Sequence, residues 1–375
     1  MTKYKDVYGK YSIGSGAILS NGDEDKVWDR IDEPEVISAY KRSIVRDFVK
    51  SGISLKELPQ WNIMDVGTGR QAITMLDLGA KKVEHYDISP ENVDRLNKYC
   101  TSNGLEGRLK TNCCDIVETY LGSEKYDFIY LNGIVQHFSN VGKGIENCIK
   151  ALKNSGLIWL YFYRSGTYDN FLLYMIRDLI HSSNISNGSE KLKEHFISSI
   201  ISYSEDVDKN YLTSMYIDGI FTRYANLYTP ETYINFMKER GFEVVSSSGL
   251  DPLGKNIDHY YARAATVITF RKSKKINDLN SLTNTLSPEN DVNQLEKSLY
   301  LEQEIVETIE LYSEMKRLLS NPNVPQSLTV FVSLRLFNFL NSKIRSEKHD
   351  PMNRHIDLQH ILRNINKLVK EEYIA

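Results

Sequence analysis

Neither sign of charge predominates in this chain of 375 residues, in which 46 lysines and arginines face 49 acids for a formal net charge of −3. That balance leaves no electrostatic footprint for nucleic acid or an anionic membrane. Cysteine is scarce. The four, Cys100, Cys113, Cys114 and Cys148, are spaced neither as a zinc knuckle nor as a disulfide framework, so buried reduced thiols are expected. No apolar run approaches the roughly 18 residues of a membrane span, the longest being Gly156 to Tyr163. The opening Met1-Thr-Lys-Tyr-Lys-Asp has no apolar signal core, which makes the cytoplasm the expected compartment. No repeat with a period of about 20–50 residues is apparent.

What is present is a globular composition, 41% hydrophobic and 25% charged, with 24 tyrosines against 13 phenylalanines. The length exceeds one ordinary domain. Residues 1–55 read as a polar arm followed by a helix carrying Val36, Tyr40, Ile44 and Phe48, with Gly52 as its stop. Strands are expected at Asn62–Val66, Lys82–Tyr86, Arg108–Asn112, Tyr126–Leu131 and Gly156–Tyr163. Helical patterns near Ala72–Leu78, Pro90–Asn103 and Val141–Leu152 separate them, as in βαβ units of a parallel sheet. Residues 165–228 break the alternation as a helical insertion. Thr229-Pro230 then opens a helix, and strands follow at Phe242–Ser246 and Ala264–Phe270. The sheet domain is thus expected over 56–164 plus 229–272. Residues 273–375 would form a linker and three helices, from Ser287-Pro288, over Gln326–Arg345 and over Ile356–Glu372.

The most informative stretch is Asn62-Ile-Met-Asp-Val-Gly-Thr-Gly-Arg-Gln71. An apolar run enters a Gly-x-Gly turn, a helix follows, and a second strand ends in Asp87, 22 residues after Asp65. Doubly wound α/β domains build nucleoside sites this way, because glycines admit the ligand and the acid takes ribose hydroxyls. A dinucleotide remains an alternative, with Ala72 a tolerable third position. As structural alternatives, Asp65 would be a helix or turn cap and Asp87 a cap for the helix at Pro90, a job for which Ser89 competes.

Five elements in order resemble the class I S-adenosylmethionine-dependent methyltransferases. They are Met64-Asp-Val-Gly-Thr-Gly69, Gly79 to Ser89, Cys114-Asp115, Tyr126 to Phe138, and Ala151 to Leu160. The resemblance implies a doubly wound, seven-stranded, mostly parallel α/β sheet and S-adenosyl-L-methionine as cofactor. It places Asp65 and the turn Gly67-Thr68-Gly69 at the methionine moiety, where an acid suits the α-ammonium charge. It also implies that Asp87 takes the ribose, Ile88 packs on adenine, and Asp115 meets the adenine amine beside the Cys114 amide. Asn132 and Gly133 would lie by the transferable methyl. The third glycine of the family is replaced by Gln71.

His137, just past the fourth strand, is the first candidate for a general base, and His259 the second. Tyr163, Arg164, Tyr168, Arg223 and Tyr224 are candidates to line an acceptor pocket, with Trp28, Tyr40 and Arg42 in a lid. Asp169-Asn170 lacks a third carboxylate for a metal, so Asp169 reads as a helix cap and no metal is expected. Leu131-Asn-Gly-Ile134 lacks the Asn/Asp-Pro-Pro-Tyr turn of amine methylation on nucleobases, which speaks against DNA. The expected activity is methyl transfer to oxygen or nitrogen of a sugar, nucleotide-sugar or natural-product intermediate. A protein methyltransferase recruiting its target through the C-terminal helices, or a non-catalytic cofactor-binding regulator, are the alternatives. Those helices could instead pair two copies of the chain.

Overall fold

The computed structural model describes residues 51–165, 168–182, 224–248, 265–273, 302–344 and 351–373, with scattered positions between 41 and 49 and at 220, 222 and 286. The contacts divide the chain into two units. One comprises Met1–Arg164, Thr222–Leu250 and Ala265–Pro288, the other Ser165–Phe221, Asp251–Ala264 and Glu289–Ala375.

In the first unit, seven strands form one sheet: β1 (Asn62–Val66), β2 (Lys82–Asp87), β3 (Leu109–Cys113), β4 (Tyr126–Asn132), β5 (Leu152–Tyr163), β6 (Phe242–Ser248) and β7 (Ala265–Lys272). Their order is β3-β2-β1-β4-β5-β7-β6. The first five run parallel, and β7 is antiparallel to both of its neighbours. Helices α1 (Arg70–Asp77), α2 (Pro90–Ser102) and α3 (Val141–Ala151) supply the crossovers, and α5 (Pro230–Glu239) precedes the antiparallel pair. The order reverses at β1 and β4, so the crevice between their carboxyl ends is where such sheets take ligands.

The expected seven-stranded fold is present, with element ends shifted by one or two residues in most cases. The largest shift within the sheet is β5, which opens at Leu152 because Ser155 (φ 63°) and Gly156 carry the turn inside the strand. The sheet is buried on both faces, which is why its central strands read as nearly continuous apolar runs. Ile63, Val83, Phe128, Leu157 and Trp159 face one core, Met64, Ile129, Leu131, Ile158 and Leu160 the other. Gly52 (φ 66°) stops the preceding helical turn, with the Ile53 amide donating to the Phe48 carbonyl at 2.8 Å. The caps fall where expected. Ser89 Oγ accepts from the Asn92 amide, and Thr229 Oγ1 from the Thr232 amide.

One acid of the sheet is enclosed by partners. Glu84 Oε2 accepts from Lys125 Nζ at 2.6 Å, Tyr126 Oη at 3.1 Å and Tyr86 Oη at 3.2 Å, and the two tyrosine hydroxyls lie 2.6 Å apart. Burial pushes the Glu84 pKa upward, but Lys125, Tyr126 and Lys110 outweigh it and hold the carboxyl below its usual range.

The second unit is helical over its described residues. α4 (Tyr168–Ser182) packs on α7 (Gln326–Ile344), α6 (Glu302–Leu319) on α8 (Pro351–Tyr373), and α7 also meets α8. Leu336, Leu358, Leu362 and Val369 are buried within it. Asp178 on α4 accepts from Tyr312 Oη at 2.5 Å and pairs with Lys316 at 2.6 Å, both on α6. The sequence set the insertion and the C-terminal helices apart, whereas the structure gathers them into one unit. α4 opens at Tyr168, so Asp169 stands in its first turn and not at its cap. Most of the insertion, Trp28 and Tyr40 of the proposed lid and most of the linker lie outside the described residues, while Arg42 is an exposed helical residue. Cysteine also departs from expectation. Cys100 and Cys148 are buried, but Cys113 is exposed and Cys114 half-buried at the open end of the sheet. Among the described residues no helix is long and apolar enough to cross a membrane.

Candidate functional site

At the carboxyl end of β1 the chain turns through two glycines that no other residue could replace without strain. Gly67 has φ 124° and Gly69 φ 85°. A Cβ at Gly69 would stand 2.6 Å from Leu96 Cδ2, so α1 and α2 close over that position. A Cβ at Gly67 would meet nothing within 4 Å, and that open side leaves backbone accessible to a ligand. Thr68 braces the turn by accepting from Arg70 Nε at 3.1 Å. Gln71, in place of a third glycine, is buried in the first turn of α1.

Two acids end the neighbouring strands β1 and β2. Asp65 is 1% exposed, yet neither carboxylate oxygen has a full hydrogen bond. Burial, with a contribution from Asp87, pushes its pKa up to about 7, against the pull of the Ala72 amide and Arg70. The Ala72 amide, in the first turn of α1, draws on Asp65 without a full hydrogen bond, so what capping it does leaves most of the carboxylate unused. Asp87 Oδ1 accepts from the Ser89 amide at 2.7 Å and Oδ2 from Asn92 Nδ2 at 2.9 Å. A carboxylate accepts about four hydrogen bonds, which leaves about half of that capacity for a ligand. Burial raises Asp87 to about 7 as well, opposed by the Ser89 amide and Asn92. Capping of α2 falls to Ser89.

The remaining expected positions are mixed. Ile88 is half-buried beside Asp87. Asp115 Oδ1 accepts from the Val117 amide at 2.9 Å, an Asx turn that orients the carboxylate. The Cys114 amide is already committed to the Asp87 carbonyl at 2.9 Å, so it holds β3 to β2 and is not available to a base. Asn132 and Gly133 close β4. Gly133 (φ 65°) donates its amide to the Tyr161 carbonyl at 2.9 Å, and a Cβ there would lie 3.5 Å from the Tyr161 ring.

His137 is 3% exposed, with Nδ1 2.9 Å from the Tyr224 carbonyl and Nε2 3.2 Å from Gln136 Nε2. A carbonyl only accepts, so Nδ1 carries the proton and Nε2 receives one from the amide. Both nitrogens are engaged, and the expected base has no idle lone pair. Its contacts join the turn after β4 to Tyr224. Gln136 Nε2 also donates to the Gly133 carbonyl at 2.7 Å, and the Asn226 amide donates to the Gln136 carbonyl at 2.8 Å. Asn226 Nδ2 donates to the Phe138 carbonyl at 2.8 Å. Residues 224–226 are thereby clasped to the turn after β4, through contacts nearly 90 residues apart in sequence that periodicity cannot show.

Of the acceptor candidates, Tyr163 is half-buried with its ring edge-on to Tyr161 at 6.1 Å. Arg164 is 1% exposed and bridges Tyr228 through its backbone, so it does not stand at an open mouth. Tyr224 is half-buried. Arg223, His259 and the side chain of Tyr168 lie outside the described residues. Among the described residues no group of three or more His, Cys, Asp or Glu side chains could hold a metal ion.

A mixed sheet of this order, with one antiparallel excursion at β7 and its acids at the β1 and β2 ends, defines the Rossmann-like methyltransferase class of fold. The methyltransferase domain family matches residues 64–160. A malonyl-[acyl-carrier protein] O-methyltransferase of Acetivibrio thermocellus is 27% identical over 109 residues, 28% of this chain and 37% of that protein. The chain thus spans little more than a third of the length of that curated relative. Among solved structures, MccD is 16% identical at a TM-score of 0.41, over 62% of this chain and 96% of MccD. PH0226 of Pyrococcus horikoshii OT3 is 12% identical at 0.39, over 66% of this chain and 96% of its own. Likenesses so low add nothing beyond the sheet order. The chain carries a class I methyltransferase domain, a family of enzymes whose methyl donor is S-adenosyl-L-methionine. Family, fold and cofactor expected from the motifs all hold.

Proposed function

We propose that this protein transfers the methyl group of S-adenosyl-L-methionine by direct displacement to an oxygen or nitrogen of a small or medium-sized acceptor. Sugars, nucleotide-sugars and natural-product intermediates are the classes in view. The observation that carries the reading is the pair of buried acids at adjacent strand ends, Asp65 without a full hydrogen bond and Asp87 with two, beside the open side of Gly67. These residues suit a nucleoside with a cationic tail. Asp87 would take the ribose hydroxyls, Ile88 and Asp115 the adenine, and Asp65 with the Gly67-Thr68-Gly69 backbone the amino-acid end. When bound, the cofactor supplies a sulfonium methyl, an electrophile for which alignment of the nucleophile is the main requirement. Asn132 and Gly133 would flank it, with Gln136 donating to the Gly133 carbonyl and His137 holding the Gln136 side chain. Tyr163 and Tyr224 would face the acceptor.

The name of the curated relative brings an oxygen acceptor forward as the first to test. The full chain incubated with labelled S-adenosylmethionine and acceptor panels should release S-adenosylhomocysteine in step with a methylated product. Binding without turnover on any acceptor would favour the non-catalytic regulator. Asp87→Ala should weaken S-adenosylhomocysteine by at least about tenfold by calorimetry, the scale of charge-assisted hydrogen bonds. Unchanged affinity would remove Asp87 from the site. Pairing of two copies through the C-terminal helices fits the exposed Phe331 on α7 and is read by sedimentation of the full chain.

A further inference from the structure

β2 reads Lys-Val-Glu-His-Tyr-Asp, and its histidine is fully buried in the sheet with no part in the roles assigned so far. His85 Nε2 is hydrogen-bonded to the Gly67 carbonyl. Because a carbonyl oxygen only accepts, Nε2 must carry a proton. Burial pushes the pKa of the ring down to about 4, against the pull of the Gly67 carbonyl, so the ring is neutral and has no second proton. Nδ1 is therefore a bare lone pair, and it is buried with no partner.

The parallel register sets Asp65 directly opposite His85 on the neighbouring strand, and register partners project from the same face of a sheet. Asp65 leaves both of its oxygens unbonded. Two side chains thus bring together three acceptor positions, Oδ1, Oδ2 and Nδ1, none with a full hydrogen bond, and the one donor drawn toward them is the Ala72 amide on Asp65. A buried water bridging the two residues would bring two donors and no charge. A primary ammonium brings three donors and the positive charge that a buried carboxylate requires.

We propose that His85 is a binding residue for the amino-acid end of the cofactor, its Nδ1 accepting one N–H of the α-ammonium group while the Asp65 carboxylate accepts the others. The inference rests on the methyltransferase reading and extends it to a residue outside the Gly-x-Gly turn. The one imidazole then works at both ends. Nε2–H fixes the Gly67 carbonyl, and Nδ1 recognises the ligand that the Gly67 turn admits.

Two ligands and two variants separate these jobs in the full chain. S-adenosylhomocysteine has the ammonium, and 5′-methylthioadenosine lacks the whole amino-acid tail. His85→Gln keeps a donor near the place of Nε2 and removes the Nδ1 acceptor. His85→Asn keeps a polar group near Nδ1 and gives up the bond to Gly67. By calorimetry His85→Gln should weaken S-adenosylhomocysteine about tenfold and leave 5′-methylthioadenosine within about twofold. His85→Asn should weaken both ligands and keep their ratio near that of the unaltered chain. Equal loss of both ligands in His85→Gln, or loss of neither, overturns the proposal in favour of a purely structural histidine or a bridging water.

The unaltered chain gives an independent reading through ¹⁵N resonances of labelled histidine. The Nδ1 signal of His85 should move on adding S-adenosylhomocysteine and stay still with 5′-methylthioadenosine, and the reverse pattern overturns the proposal. If S-adenosylhomocysteine does not bind the unaltered chain at all, the methyltransferase reading falls and this inference with it. Binding with the wrong ligand ratio removes only the inference.

Discussion

Glu84 and Asp87 leave β2 on opposite faces, and their surroundings differ in kind. Around Glu84 every neighbour is a donor: Lys125, Tyr126 and Tyr86 all converge on one oxygen. Around Asp87 and its neighbour Asp65 donors are short, Asp65 having none at full strength. Burial raises all three, less strongly at Glu84 than at the two aspartates, and its donors then carry Glu84 below its usual range while the other two are raised to about 7. A buried acid whose partners lie within the chain belongs to the scaffold. One whose partners are missing would be completed by the proposed ligand.

The sharpest way to break this contrast is Glu84→Leu. It leaves two buried tyrosine hydroxyls short of an acceptor while the half-exposed Lys125 ammonium turns to solvent, and should cost about 2–3 kcal/mol in denaturant unfolding. The folded fraction should still bind S-adenosylhomocysteine normally. A large drop in affinity would make the Glu84 cluster part of the site and erase the distinction. Asp65→Asn should act in the opposite sense on both counts. Removing an unpaired buried charge raises the stability of the ligand-free chain by about 1–2 kcal/mol at neutral pH, while ligand affinity falls. A loss of stability would show that Asp65 has a partner within the fold.

The two regions also respond to pH with opposite sign. Asp65 and Asp87 have folded pKa values raised to about 7 from 3.8, so between those limits the folded state holds protons that the unfolded state has lost. Their contribution therefore falls as pH rises from about 4 through 7, and the ligand-free melting temperature should be lower at pH 8 than at pH 5.5. Saturating S-adenosylhomocysteine should flatten that slope, and an equal slope with ligand would detach these acids from binding. Glu84, held below its usual range, contributes stability that is lost only as pH falls through its lowered folded value. The smallest effect belongs to Lys110, whose exposed ammonium lies 3.9 Å from Glu84. Lys110→Ala should change stability by less than about 0.5 kcal/mol, the worth of a solvent-screened pair.

Much of the first unit was legible because its information is local. Apolar runs of strand length, Gly-x-Gly after β1, Ser89-Pro90 and Thr229-Pro230 each encode their own conformation. The acids were legible as strand-end residues, and their missing partners were not, since a missing hydrogen bond has no sequence signature. His85 did leave a trace as a polar residue within an otherwise sheet-like run, where a histidine facing the core needs a reason. The commitments of the Cys114 amide and of both His137 nitrogens were out of reach. Each depends on a backbone group elsewhere, Asp87 in one case and Tyr224 in the other, and every residue has the same backbone. The grouping of α4 with the C-terminal helices was equally hidden, resting on pairs such as Asp178 and Tyr312 that lie 134 positions apart.

The boundary between the two units is crossed five times, after Arg164, Phe221, Leu250, Ala264 and Pro288. Neither unit is a contiguous stretch of sequence, so no single stop codon or protease cut can release one of them whole. Deleting everything beyond Pro288 would keep α4 and remove α6 and α7, the helices it is bonded to or packs on, exposing apolar surface that the intact chain covers. Asking whether the helical unit selects the acceptor therefore calls for point substitutions on its surface. Any relative lacking it must differ at several loops at once, which makes gain or loss of the unit a coordinated change in the gene and not the addition of a tail.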